Sequence, residues 1–178
     1  MVFSNMTKID RRIIKSQKAI KNAFLALMAE KGFDAITIQE ISDRADVNRR
    51  TFYLHYLDKY DLLDKLTDEH IEELRKLCTL ATDMNYVDAE LLWFEYFDRH
   101  TLFFTTMLDS KGAHYFRKIF LAFVIEELTK DMEDGQDIML QFFGAAIVGI
   151  VEWWFTNGKP YPPQVMAEQV GNLLEGNL

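Results

Sequence analysis

Thr37 and Glu40, set between Ile36 and Ile41, constrain this chain more than any other short stretch. A threonine at a helix N-cap accepts from the backbone N–H three residues on, and a glutamate at that third position reaches back to the cap. Ile36 and Ile41 then stand at the N′ and N4 positions of a hydrophobic staple, which sets the angle at which the chain enters the helix. Ile38, Ile41 and Ala45 fall on the inner side, and the helix ends near 44–45. Asp46-Val47-Asn48 follows as a turn. Val47 is its buried apolar residue, and Asn48 caps the next helix with Thr51 at N3. Two short helices are thus held at a defined angle within 36–59, and a third begins at Lys59 after an Asp58 cap.

The flanking elements follow helical periodicity. Ile13, Ile20, Phe24, Leu27 and Met28 define one face of a first helix from about Thr7 to Lys31. Gly32 stands at its C′ position and Phe33 is placed to fold back on Met28 as in a Schellman ending. Leu63, Leu66, Ile71, Leu74 and Leu77 mark a fourth helix over 59–80, which spans about 30 Å. Beyond the polar stretch 82–87, helices are expected from Asp88, over 102–108, over 113–132, over 136–157 and from Pro163. Ser110-Lys111-Gly112 and Glu133-Asp134-Gly135 break them. The expected fold is all-α, with about nine helices: a three-helix head over 1–58, a connecting helix over 59–80, and a helical body over 81–178.

Charge separates the head from the body. Residues 1–60 carry a net +4 and residues 61–178 a net −12. A basic module on an acidic body suits a polyanion at one end only. Within the head, Arg49 and Arg50 open the helix after Asn48, and Lys59 opens the next. Cations at the positive end of a helix macrodipole cost about a few tenths of a kcal/mol each, so local stability does not explain them. An anion does, and a phosphate backbone is the obvious one. Phe52 anchors the short helix, while Tyr53, His55 and Tyr56 present polar tips. This is the helix-turn-helix layout.

Residues 19–66 resemble the DNA-binding domain of TetR-family transcriptional regulators. The resemblance rests on Phe24, Gly32 and Phe33, on Thr37, Ile38, Ile41 and Ala45, and on Val47, Thr51, Phe52, Tyr53, His55, Tyr56, Lys59 and Leu62–Leu63. It departs from the family at Arg50, where a small residue is common. The resemblance implies phosphate contacts at Thr37, Tyr53, Tyr56 and Lys59, sequence readout at Asn48, Arg49, Arg50 and His55, and a place for Thr51 in the same interface. An arginine there favours guanine. The pattern GAAIVGIVEWWFTNG followed by a proline-led helix is similar, loosely, to a subgroup that includes activators of dihydroxyacetone-kinase operons.

The last two helices, 136–157 and 163–175, are too apolar for one-sided burial. A homodimer pairing them with a second copy as a four-helix bundle accounts for this, and the family dimerises in that way. The aromatic residues of the body fill a core by default. The family resemblance also implies an effector pocket for an apolar or aromatic ligand, with Trp93, Phe97, Phe104, Phe120, Phe123, Phe143 and Trp153 as candidate lining.

Other classes find little support. No glycine-rich phosphate loop, G-x-S-x-G or H-E-x-x-H motif occurs, so no enzyme and no cofactor are expected. The lone Cys78 reads as a small buried hydrophobe and excludes an intramolecular disulfide and a multi-cysteine metal site. Asp68-Glu69-His70 reads as a solvated helix face rather than a metal site. The apolar run 138–155 is interrupted by Gln141 and Glu152 and no signal peptide precedes the head, so neither a membrane span nor export is expected, and the reading is cytoplasmic. The sequence thus suggests a regulator that binds double-stranded operator DNA as a homodimer, most commonly as a repressor, with small-molecule release. The alternative is a co-activator or adaptor whose acidic body binds a partner protein.

Overall fold

The structure, a computed structural model, describes residues 8–109, 113–130 and 135–177. The expected break at 110–112 and the first two residues of the turn at 133–135 lie outside them. Nine helices occur among the described residues: α1 (Lys8–Lys31), α2 (Ile38–Arg44), α3 (Arg49–Tyr53), α4 (Lys59–Leu80), α5 (Tyr86–Arg99), α6 (Thr101–Asp109), α7 (Ala113–Leu128), α8 (Asp137–Thr156) and α9 (Pro163–Glu175). They form two compact units, 1–66 and 67–178, and the boundary falls inside α4.

In the first unit α1 packs on α2 and α2 on α3. Its core is Ile20, Phe24, Ile41, Phe52 and Leu62, each fully buried. The helix ends are built as local chemistry demands. The Glu40 N–H donates to Thr37 Oγ1 at 3.3 Å, and the Thr37 N–H donates to Glu40 Oε2 at 3.0 Å, which completes the capping box. Ile36 and Ile41 of the staple are both buried. After α1, Gly32 adopts φ 78° and its N–H donates to Met28 O at 2.9 Å. The ending is therefore the simpler αL motif rather than a Schellman motif, and Phe33 packs edge-on against Phe24 and Tyr60. The Schellman motif occurs one turn later in the chain. Asp46 takes φ 52° after α2, the Val47 N–H donates to Ser42 O at 3.0 Å, and the Asp46 N–H donates to Asp43 O at 3.2 Å.

In the second unit α5 packs along α9, α7 along α8, and α6 against both α7 and α8. Gly171 permits the first contact: a Cβ there would lie 2.6 Å from Val87 Cα. Gly144 brings α8 against Ile125 of α7 in the same way. α8 ends in a second Schellman motif, with Gly158 and Lys159 both at positive φ and the Lys159 N–H donating to Trp154 O at 2.7 Å. Lys159 Nζ then reaches Thr101 Oγ1 at 2.8 Å and also Asp98, tying this turn to the α5–α6 junction. α8 is long and apolar enough by length and composition to cross a membrane. In the fold its Phe143, Ile147, Val151, Trp154 and Phe155 form part of a protein core.

The candidate pocket residues and His70 take the following places. Phe97, Phe104 and Phe120 are fully buried, with centroids 4.8 Å apart for Phe97–Phe104 and 6.0 Å for Phe97–Phe120, so they form part of the core. Phe123 stacks on Trp93 and Phe143 is buried, while Trp153 lies 45% exposed on the outer side of α8. Of the seven candidate pocket residues, Trp93 borders a cleft within this unit. His70, expected on a solvated face, is buried instead. It stacks on Phe103 at 3.8 Å, and its Nδ1 is 2.7 Å from Tyr96 Oη.

Candidate nucleic-acid interface

α3 is short because its sequence supplies one anchor. Phe52 is buried, and the helix is held at its start by Asn48 Oδ1, which accepts from the Thr51 N–H at 2.8 Å and from Thr51 Oγ1 at 3.1 Å. It closes at Tyr53, and one further turn carries the chain to Tyr56, whose N–H donates to Phe52 O at 3.0 Å. With Phe52 turned inward, Arg49, Arg50 and Tyr53 project outward and are exposed. Arg49 Nη2 donates to Tyr53 Oη at 3.3 Å, and its guanidinium lies 5.9 Å from the Tyr53 ring centroid. Among the described residues neither arginine meets a carboxylate. Two unneutralised guanidinium groups side by side on a protruding helix start offer bidentate donors to phosphate or to guanine.

The other expected contact residues have work inside the fold. Thr37, Asn48 and Thr51 spend their side chains on caps. Three further residues make contacts within the fold. Lys59 Nζ donates to Phe33 O at 3.0 Å, Asp34 O at 3.1 Å and Ile36 O at 3.1 Å, and sits 4.7 Å from the Phe33 ring centroid. All three ammonium donors hold the loop between α1 and α2, which accounts for a cation at this helix start without a phosphate. Tyr56 is 3% exposed, with its ring against Phe52 and Lys65 Nζ 5.5 Å from its centroid, so it belongs to the core. His55 is half-buried, and its Nε2 is 2.8 Å from Ser16 Oγ, which ties the end of α3 to α1. Burial pushes the imidazole pKa down.

Two exposed apolar residues lie outside the expected contact set. Leu54 and Leu57, which follow α3 in the chain, are 73% and 80% exposed. Their signal was negative: apolar residues at positions that match no buried face.

Glu40 completes the local electrostatics. The Lys31 ammonium beside it, together with the Thr37 side chain and N–H, lowers its carboxyl pKa to about 2. The capping box therefore stays charged at any physiological pH.

A helix-turn-helix with an exposed paired-arginine start defines a DNA-binding class of protein. Residues 20–66 match the model of the bacterial regulatory proteins, tetR family, and residues 89–176 match that of a transcriptional regulator C-terminal region. The chain belongs to the TetR family of transcriptional regulators. It is similar to an uncharacterised HTH-type transcriptional regulator, YxbF, of Bacillus subtilis, at 25% identity over 94% of this chain and 47% of that protein. It is also similar to DhaS, the dhaKLM operon transcriptional activator of Lactococcus lactis, at 27% identity over 64% of this chain and 59% of that protein. The chain thus spans about half the length of the curated relatives it matches. A solved structure of the dihydroxyacetone kinase operon activator DhaS covers 92% of this chain and 96% of its own at 22% identity, with a TM-score of 0.66. A TetR regulator from Streptococcus agalactiae covers 93% and 97% at 24% identity, also at 0.66.

Proposed function

We propose that the chain binds a palindromic operator as a homodimer and represses transcription until a small effector binds the body. The observation that carries this reading is the pair Arg49 and Arg50, exposed beside Tyr53 and without a carboxylate partner among the described residues. In this reading Arg49, Arg50 and Tyr53 touch DNA directly. Thr37, Asn48, Thr51, His55, Tyr56 and Lys59 hold the shape that presents them. Leu54 and Leu57 add apolar surface suited to thymine methyl groups.

Dimerisation is supported by the outer face of α8. Ile138 (86% exposed), Phe142 (66%) and Trp153 (45%) flank the small residues Ala145 and Gly149 at helical spacing, and α9 adds Leu173 at 57%. Small residues between large ones let two helices approach closely, and a self-complementary stripe suits a two-fold axis. Two copies of α3 then occupy successive major grooves about 34–36 Å apart.

The test is the double variant Arg49→Ala/Arg50→Ala, assayed by fluorescence anisotropy on operator duplex and by analytical ultracentrifugation. DNA affinity is expected to fall at least about a hundredfold, from two good bidentate contacts, while sedimentation stays unchanged. Unchanged DNA affinity would overturn the reading.

A further inference from the structure

A cleft of about 720 Å³ lies within the second unit, bordered by the C-terminal end of α4 and by α5, α7, α8 and α9. α5 presents Tyr86, Ala89, Glu90 and Trp93 to it, and their spacing places all four on one helical face. Val124, Ile147 and Leu174, each buried, supply an apolar wall. A carboxyl therefore stands between two aromatic rings, one turn away on either side, over an apolar floor.

The surrounding charges single out Glu90. Glu127 on α7 is neutralised by Arg75, at 2.9 Å, and by Lys130, at 2.7 Å. Glu175 borders the cleft at the exposed end of α9. The Cys78 thiol on α4 is pushed up to about 12, mainly by burial and next by the Glu127 charge, so it stays protonated. α8 contributes Ile147 and no ionisable group to the lining. Glu90 has no hydrogen bond or ion pair among the described residues, and burial alone raises its pKa from 4.5 to about 7. An unpaired, half-buried carboxyl lacks a cation, and aromatic side chains one turn away on either side suit the same charge.

We propose that this cleft binds an amphipathic amine, with its ammonium on the Glu90 carboxylate between Tyr86 and Trp93 and its apolar part against Val124, Ile147 and Leu174. This names the chemical class of the effector and rests on the regulator reading above. It differs from the apolar or aromatic ligand suggested by the sequence in carrying an ammonium, for which Glu90 is the partner in this cleft. Cys78 and Thr79 of α4 also line the cleft, so an occupant touches the helix that continues into the DNA-binding unit.

The test is isothermal titration calorimetry of the full chain, without DNA, against decylamine, decanol and decanoate at neutral pH. Decylamine is expected to bind at least about tenfold more tightly than decanol, and decanoate least. Decylamine binding is also expected to release protons, about half a proton near pH 7 as Glu90 ionises, seen as heats that vary with the ionisation enthalpy of the buffer. Glu90→Gln is expected to abolish both the amine preference and the proton release while leaving decanol affinity unchanged. Equal affinity for the three probes would overturn the proposal, as would an amine preference that survives Glu90→Gln. Operator binding is measured separately on the same preparations. Its failure would sink the regulator reading and leave the amine result intact, and the converse holds.

Discussion

Lys59 and Glu90 have opposite fates within one chain. Lys59 places three N–H donors on three carbonyls, and a charged donor strengthens each bond. Lys59→Met should therefore destabilise the first unit by about 1–3 kcal/mol in urea denaturation, with DNA affinity falling in parallel. Lost affinity at unchanged stability would return Lys59 to the phosphate. Glu90 has no such partner, and the sign of its effect follows from its raised pKa. The unfolded chain loses the proton near 4.5 and the folded chain keeps it to about 7, so stability declines as pH rises across that window and stays lower above it. Glu90→Gln should then be more stable than the native chain at about pH 8, by about 1–3 kcal/mol, and the two should converge at about pH 4. Thermal melts at both values check this, and a native chain as stable as the variant at the higher pH would contradict it. Glu127, Lys130 and Glu175 border the same cleft and are unchanged in the variant.

Helix ends carry the local specification, and close approach carries the packing. Gly171 lets α9 lie on the backbone of α5 at Val87. Gly171→Ala has no flexible side chain to displace, and it should cost about 1–3 kcal/mol through overpacking, measured by chemical denaturation. A neutral result would mean that the two helices can separate at no cost. At this scale much was legible in advance. The capping box, the staple and the Asn48 cap are local rules with short spacing, and the structure builds them where residues 36–51 call for them. The α1 ending was misread because αL and Schellman endings share the same glycine and differ in which backbone N–H closes the turn. The cleft was not legible. A stripe of phenylalanines looks the same whether it fills a core or lines a cavity, and Glu90 is a single carboxyl in a helix with Asp88 and Glu95 close by. Its place in a cleft, half-buried and unpaired among the described residues, distinguishes it, and that is decided by α7, α8 and α9, remote in the chain. The Lys59 contacts were not legible for a related reason: its partners are carbonyls 23 to 26 residues upstream, and backbone oxygens leave no mark in a sequence.

Across the whole chain, charge and apolar surface are segregated by task. The net positive head carries the two arginines, and the acidic body carries the outer α8 stripe and the Glu90 cleft. α4 belongs to both units, since their boundary falls at 66–67 within it. An exposed start of five helical residues reads too little DNA alone, so the account needs a second copy. This dependence is tested most directly by selecting duplexes from a random library with the full chain and footprinting the enriched sequence with hydroxyl radicals. The account predicts an inverted repeat, protected in two half-sites with centres about 34–36 Å apart. An absence of enrichment, or a single protected half-site, would contradict it.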